Sequence, residues 1–232
     1  MNRKKLTALI MVLALAFTTL VGGTFAYFTD TDDATNVFTT GDVEIDLIEV
    51  FDAETAKLLP GIDVEKRVNV KNTGSEDAYV RVHIAFPAIL DSGSEDQPQF
   101  AAYNNTLHWN FTLASTADGL WNWNADKDGD GYPGNGGEWN MYQQEVDGVL
   151  YNVYVATYET DLAYNETTEV DAIYKVYLDK KVTNEGMTEI LSELEQIKVL
   201  VVAEGGQKAG FDNAYDALNT QFGVPGTYNP WA

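Results

Sequence analysis

The chain sorts into regimes by where its apolar residues fall. Residues 6–21 form an almost uninterrupted apolar run, sixteen residues long and short of the ~20 that span a bilayer. From residue 43 onward the rhythm changes to alternation, the period-two mark of strands that bury one face. Val43-Glu44-Ile45-Asp46-Leu47 alternates apolar and acidic side chains. Ile62, Val64, Val68 and Val70 then share a face opposite Glu65, Arg67, Asn69 and Lys71, with Lys66 as the one misfit. Asn72-Thr73-Gly74-Ser75 turns the chain, and Ala78, Val80, Val82, Ile84 and Phe86 return on one face. This predicts a hairpin-like pair, each strand with one buried and one wet side.

Strands are also predicted around 106–113 and over 149–158, 169–178 and 197–203. In the third of these, Val170, Ala172, Tyr174, Val176 and Leu178 fall on one face. Helical spacing appears twice. Ile190, Leu191 and Leu194 mark a short amphipathic helix over 188–196. Phe211, Tyr215, Leu218 and Phe222 mark a second, with Asp212 as N-cap and Gly223 as stop. Residues 87–147 break the rhythm with Pro87, Pro98, Pro133 and four of the five Trp, and form an elaborated insertion within the same domain. Six to nine strands, two short helices and no βαβ alternation predict a mainly β protein, an antiparallel sandwich.

The apolar run has the flanks of an export leader. Arg3, Lys4 and Lys5 precede it; Gly22-Gly23 and the small-x-small triplet Thr24-Phe25-Ala26 follow, which places cleavage between Ala26 and Tyr27. The expected organisation is a signal peptide (1–26), an N-terminal arm (27–41), a sandwich domain (42–223, with its insertion at 87–147) and a loose, flexible tail (224–232). The arm is polar and rich in Thr and Asp, with Tyr27, Phe28, Val37 and Phe38 as its anchors. Such a segment is either a frayed terminus or an assembly arm that pairs with a sheet edge of another subunit.

The sequence GGTFAYFTDTDDATNVFTTGDVEIDL across this junction resembles the TasA/camelysin family, exported proteins of Gram-positive bacteria processed by the SipW-type signal peptidase. Its Gly-Gly-Thr-aromatic-Ala, aromatic-Phe-x-Asp and Phe38-Thr39-Thr40-Gly41 elements are all present, and Leu59-Pro60-Gly61 and Val68-Asn69-Val70-Lys71-Asn72-Thr73-Gly74 are also similar. The resemblance covers residues 1–86 and implies a jelly-roll sandwich. It further implies either a biofilm matrix fibre subunit, as in TasA, or the metallopeptidase label attached to camelysin.

Charge narrows the partners. The chain carries 36 acidic and 14 basic residues; loss of the leader removes three of the basic ones and takes the net charge from −22 to −25. Phosphate-bearing partners need Lys and Arg, so nucleic acid and anionic lipid are excluded, and contact with a membrane is expected only through the uncleaved leader. With 45% apolar residues the chain still builds a core despite its acidity. It has no cysteine, hence no disulfide framework and no thiol chemistry.

Among motifs, Asp126-Lys127-Asp128-Gly129-Asp130-Gly131 is the sharpest. Carboxylates at every second position with a Gly for the turn match the opening of a calcium loop, with the Tyr132 carbonyl in seventh place. The twelfth position is Gly137, and Glu138 arrives one residue late, so this is no EF-hand. Its carboxylates either hold Ca2+ weakly or form a solvated acidic turn. The two histidines, His83 and His108, lack the HExxH spacing of zincins and are expected to be structural. That departure speaks against the metallopeptidase label, and no nucleophile elbow is present either. Trp109, Trp121, Trp123, Trp139 and Tyr142 either stack on sugars or, more simply, pack in the core.

The leading expectation is a secreted structural subunit of extracellular matrix fibres, assembling with itself or with related subunits head-to-tail by strand complementation. The alternative is a monomeric cell-surface module that captures calcium or glycans through residues 87–147.

Overall fold

The computed structural model describes residues 42–51, 58–90, 106–111, 121–124, 139–194 and 196–232. The arm, both cleavage residues and the whole Asp126 loop, from Asp126 to Glu138, lie outside this set. In chain order the elements are β1 (Ile45–Val50), β2 (Val64–Glu65), β3 (Arg67–Asn72), β4 (Ala78–Pro87), β5 (Leu107–Phe111), β6 (Trp121–Asn122), β7 (Met141–Val146), β8 (Val149–Tyr158), β9 (Ile173–Leu178), α1 (Asn184–Glu193), β10 (Leu200–Gln207) and α2 (Ala214–Phe222). The protein is mainly β, and its named strands pair antiparallel throughout.

Three sheets share one core. The largest runs β10-β4-β8-β6, with β7 also on β8; the others are β2-β9-β5 and the pair β1-β3. Val70 from β3, Val82 and Ile84 from β4, Trp109 from β5, Ala156 from β8 and Val176 from β9 meet in it, with Ile190 of α1 and Leu194, just past its end, closing one side. These residues are apolar because each sits on the inward half of its strand's alternation. All described residues belong to a single compact unit, Gly41–Ala232. The jelly-roll order implied by the resemblance is not established by these pairings.

The structure corrects the expected hairpin. β3 pairs with β1, with Leu47 opposite Val70, whereas β4 pairs with β10 and β8. The 72–75 turn is therefore a corner between sheets. β4 has no wet side either, since all ten of its residues are buried. Alternation fixes which side chains share a face, but an amphipathic strand lying under a helix looks the same as one facing water. The outer face of β4 lies under α2 and the C-terminal residues. There Tyr79 meets Ala214, Ala217 and Leu218, while Ala85 packs near Trp231.

Two other details differ from the periodic reading. In β9 the pairing jumps from Asn110↔Lys175 to Phe111↔Ile173, and the resulting bulge turns Tyr174 outward and Ile173 into the core. Lys66 does not break the alternation; it sits inward, in line with Val64 and Val68, and is 3% exposed.

The helices form where spacing indicated, with shifted ends. α1 starts at Asn184, capped by the Thr183 side chain, because only its packed half carries the apolar spacing. α2 is capped by Asn213 rather than Asp212, its side chain accepting from the Asp216 N–H, and it ends at Gly223 with φ 103°. The last strand covers 200–207 instead of 197–203. Asp147 and Gly148, both at positive φ, make the tight two-residue turn between β7 and β8.

Candidate functional site

The first described residues, 42–44, are strapped to the 72–75 corner. Thr73 and Gly74 donate their N–H groups to the Glu44 carbonyl at 2.8 and 2.9 Å, and the Asp42 N–H donates to Ser75 Oγ at 3.1 Å. A Cβ on Gly74 would run into the backbone of Asp42 and Glu44, so the Asn-Thr-Gly stretch serves as a clamp on the segment entering β1. β1 itself is a sheet edge. Its one strand partner among the described residues is β3, and Ile48, Val50 and the adjoining Phe51 are 37%, 47% and 44% exposed. An edge of this length with exposed apolar side chains is a template for another strand.

The second candidate is a buried polar cluster under the C-terminal residues. Arg81 on β4, 2% exposed, pairs through Nε with Glu204 on β10. Its other nitrogens donate to Asn219 Oδ1 at 2.8 Å, to the Gly223 carbonyl at 2.9 Å and to the Tyr228 hydroxyl at 2.7 Å. The last turn of α2 holds no basic residue, so Arg81 supplies from β4 the cation that complements the helix C-terminus.

His83 stands two residues further along β4 on the same face as Arg81, fully buried. Its Nδ1 accepts from the Tyr142 hydroxyl at 3.1 Å, and its Nε2–H donates to Glu204 Oε2 at 3.2 Å. Tyr228 donates to Glu204 Oε1 at 2.6 Å. Burial pushes the His83 pKa below its ordinary value, outweighing the Glu204 carboxylate beside it, so the ring is neutral. Burial works against ionisation of Glu204 too, but the His83 hydrogen bond, the Arg81 charge and the Tyr228 hydroxyl prevail and hold it down at about 2. Burial raises the Tyr142 and Tyr228 phenols, which stay protonated.

Tyr228 and Trp231 also set their rings edge-on to His83, at 6.2 and 6.3 Å between centroids. Residues 224–232, expected to be loose, are thus part of the packed structure. The pattern of the cluster was present in the sequence as an Arg, a His and a Glu within otherwise apolar strands, but Tyr228 and Trp231 carried no local signal.

The remaining sequence candidates go to packing. His108 lies stacked on Tyr177 and reaches Asp179 at 3.0 Å. The Lys181 backbone N–H and then His108 draw the Asp179 pKa below the carboxylate range. His83 and His108 occupy different sheets and do not meet. Trp109 contacts Trp123, Trp139 and Phe86 with centroids 5.3, 5.7 and 5.3 Å apart, and Trp121 packs on Tyr158 while donating to the Val170 carbonyl. These four rings fill the core end of the sandwich, whereas Tyr142 stands apart beside His83. Among the described residues no three His, Asp or Glu side chains gather as a metal site.

The clamp, β1, β3 and β4 all fall within one stretch that a family model recognises. Residues 2–87 match the Camelysin metallo-endopeptidase family. The match supports the resemblance to the TasA/camelysin family over residues 2–87, the stretch that holds the first four strands. No curated protein matches the chain.

Proposed function

We propose that this protein is an exported structural subunit that polymerises into extracellular fibres, each subunit completing a sheet edge of the next with its N-terminal arm. The observation that carries this reading is the exposed β1 edge, fed directly by the clamped residues 42–44. Cleavage after Ala26 by a SipW-type peptidase would free the arm, with Tyr27, Phe28, Val37 and Phe38 as its anchoring side chains, only once the chain has been exported. A head-to-tail contact of this kind need not close, and open filaments follow. The partner is a second copy or a related matrix subunit, and the setting is the surface or matrix of a Gram-positive bacterium.

The test is to place lysine on the edge, as Ile48→Lys with Val50→Lys, and follow assembly by sedimentation. Charge on an edge blocks strand addition, so the double variant should stay soluble while the parent pellets. Equal pelleting would refute edge-mediated assembly. Ca2+ is assigned to Asp126, Asp128, Asp130, the Tyr132 carbonyl and Glu138. Calorimetric titration should show weak binding that Asp128→Asn removes. No peptidase role is proposed, because His83 and His108 stand in different sheets and do not converge on one site.

A further inference from the structure

Lys66 places a lysine side chain inside the core, 3% exposed. It projects inward between Val64 and Val68, at a place where an aliphatic residue would pack without desolvating a charge. Its ammonium pairs with Glu49, and the Phe51 ring lies 5.0 Å from Nζ. An ammonium has three N–H donors, and among the described residues Glu49 is its one hydrogen-bond acceptor. The remaining donors border a cavity of about 420 Å³ walled by Leu58, Val64, Val176, Ile197, Val199 and Leu200. That volume falls in the range of small-molecule pockets, which pair an apolar wall with few polar groups. Lys198 stands at the same cavity, and among the described residues that line it there is one more cation than anion, in a chain of net charge −22.

We propose that this cavity binds an aliphatic carboxylate, with the headgroup held by Lys66 and Lys198 and the hydrocarbon chain against the Leu58–Val176–Leu200 wall. The site shares Glu49 and Phe51 with the β1 edge, but ligand binding to a single subunit needs neither the arm nor assembly, so its failure is distinguishable from failure of the fibre reading. The acid must be a monoanion with an apolar body: a dianion would meet Glu49, and a cation would meet Lys66 and Lys198.

The test uses decanoate as the probe and decanol as its uncharged counterpart, with protein beginning at Tyr27 and two-dimensional amide NMR as the readout. Decanoate should saturate one site below its micellar range, moving the amides of Val64, Lys66, Val176 and Val199. Decanol should bind at least about tenfold more weakly, as expected for loss of a charge-assisted hydrogen bond. Lys66→Met should bring decanoate down to the level of decanol. Val199→Trp, which fills the cavity and keeps the lysine, should abolish both, and it serves as the second variant if Lys66→Met fails to fold. Non-saturating shifts, equal binding of acid and alcohol, or decanoate binding that survives Val199→Trp would each overturn the proposal.

Discussion

Arg81 joins a strand, a helix terminus and the C-terminal residues through one guanidinium, and the residues around it set the acid stability of the protein. Glu204 has a folded pKa of about 2 against 4.5 in the free side chain. Its contribution is therefore fully present above pH 4.5 and is lost as pH falls toward 2, on the order of 3 kcal/mol in all. His83 acts in the same direction: its pKa is depressed from 6.5, so the unfolded chain gains a proton first as pH drops below that value. Urea unfolding followed from pH 7 to pH 3 should show stability declining from about pH 6.5 downward, with Glu204→Gln flattening the lower part of the profile. An unchanged profile in that variant would contradict the assigned pairing. Tyr228→Phe removes one hydroxyl that donates to Glu204 and accepts from Arg81, and should cost about 1–3 kcal/mol at pH 7.

At the scale of elements, what was legible in the sequence depended on whether an element's neighbours leave a periodic trace. β8 appears over the expected residues, and α2 was betrayed by Phe211, Tyr215, Leu218 and Phe222. The partner of β3 was not legible, because alternation names a face and not a neighbour. The bulge at Tyr174 shifts phase by one residue and is invisible to any count of period two. Residues 224–232 have no period at all, yet they carry Tyr228 and Trp231 into contact with β4. Ending the chain at Gly223 would uncover Arg81, His83 and Glu204 together, and thermal unfolding should move down by several degrees or more. Gly205 is a second point of close approach: a side chain there would strike Ile45 as β1 crosses β10. Gly205→Val should therefore destabilise by about 1–3 kcal/mol through overpacking, measured by urea unfolding.

At the scale of the whole molecule, the acidic composition and the family signature were readable because each is a local or compositional property. The 2–87 match agrees with the quoted junction and clamp residues, and the structure gives the Asn72-Thr73-Gly74 stretch a physical reason, since only a glycine admits the backbone of residues 42–44. The Arg81–Glu204 pair was missed because the two residues lie 123 positions apart and meet only when β4 pairs with β10. The chain carries a net charge of −22, and −25 if the proposed leader is removed; such copies repel one another, so the proposed assembly should strengthen as salt rises and screens that repulsion.

Electron microscopy of purified protein beginning at Tyr27, beside protein beginning at Gly41, tests the central claim most directly. Both forms would be incubated with and without calcium at matched ionic strength. Filaments from the longer form and none from the shorter are the predicted result, and a calcium requirement would bring the Asp126 loop into the contact. Filaments of equal abundance from both forms, or none from either, would contradict assembly through the arm.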